Sequence, residues 1–103
     1  MSAPYAILVA PSAQRQATKI ADWWEANRDK APALFVQELE AAFARVAKAP
    51  TSGRVFRESK GRVIRRILLP RTSYHVFFEA NEAKQQVQIL AVWHTARGRG
   101  PRL

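Results

Sequence analysis

Cysteine is absent from the 103 residues, so no disulfide framework braces the chain and no thiolate can hold a metal. Histidine occurs only twice, at His75 and His94, and neither has carboxylates at ligand spacing, so no metal centre is expected. Glycine is scarce, with four residues, and none builds a phosphate-cradling loop. No Ser/His/Asp arrangement for nucleophilic catalysis stands out. No cofactor is expected. Long apolar runs are also missing. The longest, Tyr5–Pro11, falls far short of the roughly 18–20 residues that cross a bilayer. The stretch Met1–Ala10 lacks the positive leader of a signal peptide. These absences point to a soluble, unexported cytoplasmic chain with no membrane partner.

What is present argues for a folded protein. Hydrophobic residues make up 48% and charged residues 24%, which excludes global disorder. The length suits one domain, residues 1–103, with a modest core and little room for a deep substrate cavity. Charge is distributed unevenly. Residues 1–44 hold four bases (Arg15, Lys19, Arg28, Lys30) and five acids (Asp22, Glu25, Asp29, Glu38, Glu40). Residues 45–103 hold thirteen Lys/Arg and only Glu58, Glu79 and Glu82 as acids, within a total net charge of +9. The second part therefore carries a positive field that attracts an anionic partner, nucleic acid or acidic protein.

The apolar pattern divides the chain. Tyr5–Val9 reads as a short strand. Pro11-Ser12 breaks it, and Ser12 suits a helix N-cap. Ala13, Ala17, Ile20 and Trp24 then fall on one helical face, with Arg15, Lys19 and Asp22 opposite. That helix should end near Asn27–Lys30. Pro32 is placed as an early residue of a second helix, whose stripe is Phe35, Leu39, Ala42 and Val46, widened by Val36 and Phe43. Ala49-Pro50-Thr51-Ser52-Gly53 stops it. After Gly53 the period becomes two. Arg62–Leu69, Tyr74–Ala80 and Val87–His94 read as three strands of an antiparallel meander. Thr95–Leu103 reads as a mobile basic tail. The fold class is α+β, in the order β-α-α-β-β-β: a helical hairpin on one face of a small, mostly antiparallel sheet.

Alternation assigns faces. Tyr74, Val76, Phe78 and Ala80 oppose His75, Phe77 and Glu79; Val87, Ile89, Ala91 and Trp93 oppose Gln88, Leu90, Val92 and His94. The more apolar sets should meet the helices, which puts His75 and His94 together on the open face. Arg65, Arg66, His75, His94 and Arg97 are thus the candidate catalytic residues: arginines grip phosphate bidentately, and histidine moves protons near neutral pH. The plainer reading of these side chains is a surface that binds a partner. Trp24 and Trp93 read as core residues, with Trp23 at the helix edge.

Taken in order, YAILVA, ADWWEAN, the KAPTSGRVF turn, VIRRILLP, SYHVFFEA and ILAVWHTARG resemble the RelE/ParE toxin superfamily, nearest its ParE branch, over nearly the whole chain. The best pieces are the helix-ending Pro before a Gly, the Arg-Arg strand and the terminal His94-x-x-Arg97. The resemblance implies a type II toxin neutralised by a cognate antitoxin that wraps it, giving a hetero-oligomer. ParE-type toxins inhibit DNA gyrase, and here Arg97, Arg99 and Arg102 would contact the target. RelE-type relatives instead cleave messenger RNA on the ribosome, and several carry a Glu in the loop after the second helix. Thr51–Arg57 holds no acid, and His75 stands where the nucleases usually carry Arg. Both departures favour a non-enzymatic gyrase inhibitor over an endoribonuclease. An inactive antitoxin-binding relative is the third alternative.

Overall fold

Pro11 starts the first helix instead of blocking it. Its fixed φ suits the first helical position, and its missing N–H would have had no helical partner there. The structure, a computed structural model describing residues 3–103, runs β1 (Ala6–Val9), α1 (Pro11–Asn27), α2 (Leu34–Lys48), β2 (Arg54–Ser59), β3 (Arg62–Leu69), β4 (Tyr74–Asn81) and β5 (Gln86–His94). Ala10 is the N-cap of α1 and makes no side-chain cap bond. Ser12, expected to cap, lies inside the first turn. The backbone N–H of Ala10 donates to Ile89 O at 2.9 Å, which ties the helix start to β5. Pro32 also sits differently from expectation. It lies in a turn closed by Leu34 N–H donating to Ala31 O, and α2 begins two residues later. Proline at the second position of such a turn needs no N–H.

The sheet order is β1-β5-β4-β3-β2. β1 runs parallel to β5, and the other neighbours are antiparallel. The helices cover one face, as the sequence led us to expect. Phe35 and Val46 of α2 meet Val76, Phe78, Val87 and Ile89 in the main core, and all six are fully buried. Glu38 of α2 fixes the turn after β3. Its carboxylate accepts from Arg71 N (2.7 Å), Thr72 N (3.0 Å) and Thr72 Oγ1 (2.6 Å). Gly53 enters β2 with φ +93; a Cβ there would lie 2.7 Å from Ile67 Cγ2 and 2.8 Å from Arg66 O. Only glycine fits that approach.

Three features correct the sequence reading. First, β2 is an additional strand. It is an edge strand with nearly every residue exposed, and a bulge between Val55 and Arg57 breaks its alternation, so it carries no apolar period to read. Second, β5 also has a bulge. Phe77 pairs with Ala91 and Phe78 with Ile89, which leaves Leu90 without a partner. One extra residue inverts the facing of everything beyond it. Val92 therefore packs with the helix-side core, while Ala91 and Trp93 turn to the open face. Third, the end of the segment after β5 packs against the open face. Thr95–Arg97 forms a short 3-10 turn, and Pro101 is buried. Leu103 joins the open-face cluster of Ile64, Phe77 and Ala91. Arg57 Nη1 donates to Leu103 O at 2.7 Å.

Candidate functional site

The bulge in β5 decides which candidate residues can work together. Arg66 pairs across β3 and β4 with Phe77, so it shares the open face with that ring. His75, two residues before Phe77 on the same strand, shares it too, and its register partner is Trp93 of β5. The guanidinium of Arg97 lies over Trp93, with Cζ 3.5 Å from the ring centroid. Arg66, His75 and Arg97 therefore share the open face, and Arg66 and His75 line one depression on it. His94 does not join them. It pairs with Tyr74, stacks edge-on against that ring at 4.9 Å, and borders a cleft on the helix side. Arg65 is separated as well: it pairs with the helix-side Phe78 and donates from Nη1 to Gly53 O at 3.2 Å. The two histidines, expected on one face, lie on opposite faces.

The open face is an aromatic pad under arginines. Phe56 and Phe77 meet edge to face at 4.7 Å. Arg57 and Arg66 lie over Phe56 at 5.5 and 5.7 Å. Such stacking orders a guanidinium yet leaves its N–H edge free for an anion. The only ion pair among the described residues on this side is Arg62 with Glu79, at 2.8 Å. Toward the β2 edge, Arg45, Arg54, Arg66 and His75 line a depression of about 470 Å³ that contains no acid. Arg99 and Arg102 are exposed on the segment after β5. Sequence reasoning missed Phe56, Arg57, Arg54 and Arg45. The density of arginine around Phe56, with Arg54 and Arg57 on either side, was the only signal for the first three.

Burial pushes the His75 imidazole below its ordinary pKa, and the nearby Arg66 guanidinium pushes it the same way. His75 is thus neutral in the fold at neutral pH. The unfolded chain takes up this proton first as pH falls through the ordinary histidine value of about 6.5. The stability contributed by neutral His75 is complete above that pH and is lost below it, down to the lower folded value. Denaturant midpoints measured from pH 8 to pH 5 are expected to fall across this window. His75→Gln should flatten that part of the profile, and an unchanged slope would contradict the assignment.

Trp23 is 46% exposed, as placed at the helix edge, and Trp24 packs against the main core. Trp93, expected to face the helices, instead lies beneath Arg97. Among the described residues no three His, Asp or Glu side chains gather in a way that would hold a metal ion. Among the described residues no helix is long and apolar enough to cross a membrane.

The fold is similar to that of a chain in the crystal structure of the RelBE2 toxin–antitoxin complex from Mycobacterium tuberculosis. The TM-score is 0.61 at 20% identity, over 93% of this chain and 97% of the other. No curated protein matches. The model of the ParE toxin family of type II toxin–antitoxin systems, parDE, matches residues 7–98. A match over most of the chain, on a strand-hairpin-sheet fold with a basic aromatic face, carries one conclusion: the protein belongs to the ParE toxin family.

Proposed function

We propose that this chain, acting as one toxin domain, inhibits DNA gyrase by binding it, and that a cognate antitoxin neutralises it in a hetero-oligomer. The observation that carries the binding mode is the separation of His75 and His94 on opposite sheet faces. General acid–base cleavage of a phosphodiester needs proton donor and acceptor on one scissile group, and these two cannot share one. The open face instead offers ordered arginines on aromatic rings, the residue types that dominate tight protein interfaces. Arg66 and Arg97 form the centre of the contact, with Arg99 and Arg102 beside them.

One observation favours a second reading, a ribosome-dependent messenger-RNA endoribonuclease. His75 is neutral and lies close to Arg66, a suitable pairing of base and phosphate ligand. A gyrase assay separates the two. Titrating purified protein into supercoiling reactions should stop supercoiling and trap cleaved DNA, with relief by the antitoxin. No effect on gyrase at large excess, together with cleavage of messenger RNA on ribosomes, would establish the nuclease instead. No effect on either would leave an inactive antitoxin-binding relative.

A further inference from the structure

A second cationic cleft lies on the helix side, away from the open face. It holds about 530 Å³ between α1 and the turn after β3, enough for one or two side chains of a partner. Its cations are Lys19, Arg28 and Arg71, and its apolar walls are Trp23, Trp24 and Tyr74. The Arg28 guanidinium lies over both indoles, at 4.9 and 5.6 Å, which holds it ready for an anion.

The polar atoms in this cleft are mostly donors. His94 Nδ1 accepts from Ala96 N at 3.0 Å, which leaves Nε2 as the ring nitrogen that can donate. Trp24 Nε1 is buried without a partner, an unusual cost for an indole N–H. No acid lines the cleft. The Glu38 carboxylate, behind the turn that carries Arg71 and Thr72, is already taken up by Arg71 N and by Thr72.

The geometry points to a docking site for an acidic segment of the antitoxin that presents an apolar or aromatic side chain beside a carboxylate. This rests on the antitoxin reading above. The side chain would lie against Trp23 and Tyr74, and the carboxylate would meet Arg28 and Arg71. Local charge favours a peptide over nucleic acid. Asp22 and Glu25 stand on α1 among its cations, between Lys19 and Arg28. A chain of phosphates would run into those acids, whereas one carboxylate would not.

The test is calorimetric titration of the cognate antitoxin into the whole toxin. Trp23 and Arg71 are both exposed, so Trp23→Ala with Arg71→Glu should fold, and a thermal melt checks this; Lys19→Glu, also exposed, is a second variant. The double variant is expected to lose at least about 100-fold in affinity, the scale of one interface hot spot or more. The open-face variant Arg66→Ala should change it by less than about threefold, as a site outside the contact does. Wild-type affinity in both cleft variants would overturn the docking site and leave the antitoxin reading intact. Failure of the wild-type protein to bind the antitoxin would overturn both. A thymidine oligonucleotide of about twelve residues, a typical single-strand site size, serves as the other probe. Tight binding that the same variants abolish would assign the cleft to nucleic acid and overturn the peptide.

Discussion

Arg66→Glu combined with Arg97→Glu is expected to raise the concentration needed to inhibit gyrase supercoiling by at least about 100-fold, from two charge reversals at the centre of an interface. Each guanidinium rests on an aromatic ring of the open face, Arg66 on Phe56 and Arg97 on Trp93, so neither is a freely swinging surface charge. Reversal puts a carboxylate where an anionic partner surface is proposed to sit. The fold should tolerate the change, because neither side chain is buried and neither has an acidic partner among the described residues. His94→Ala should shift inhibition by less than about threefold, because distant sites act independently. Supercoiling titrations with the three proteins check this. Full inhibition by the double charge reversal would sink the open face as the gyrase contact. Complete loss of toxicity in His94→Ala would restore a catalytic role for that residue.

The largest expected stability change is that of Phe78→Ala, a loss of about 3–5 kcal/mol. Phe78 is fully buried in the main core, on the central strand β4. Its ring also backs the turn into β2: a Cβ on Gly53 would lie 3.3 Å from Phe78 Cζ. The cavity cannot collapse easily, because the two helices and three strands around it are fixed by one another. A domain of this size has a total stability of about 5–15 kcal/mol, so the variant should be near its unfolding midpoint in mild denaturant. Val36→Ala is the control. Val36 is 38% exposed on the rim of α2, and its loss should cost less than about 1 kcal/mol. Urea melts would settle the pair, and a Phe78→Ala loss under about 1 kcal/mol would mean that the ring is not a keystone of the core.

The helix stripes were legible because a period of 3.6 persists wherever one side of a helix is buried. Phe35, Leu39, Ala42 and Val46 are the buried face of α2, as read. Tyr74, Val76, Phe78 and Ala80 also face the helices as alternation implied. The edge strand β2 was not legible. An exposed edge strand needs no apolar alternation, and its bulge removes even the parity. The candidate site was half legible. Arg66, His75 and Arg97 do share one face, but the same reasoning included His94 and Arg65, which lie elsewhere.

By itself, then, the sequence determined the class of fold, the helix-facing side of β4, and the basic character of the second part. These follow from composition and local periodicity, which each segment carries within itself. Only the tertiary structure decided which basic residues act together. A single unpaired residue, Leu90, turns Trp93 outward beneath Arg97 and His94 inward toward Lys19 and Arg71. Alternation is a rule of parity, and a bulge that shifts parity is set by how β5 must pair with β4, not by anything β5 spells out alone.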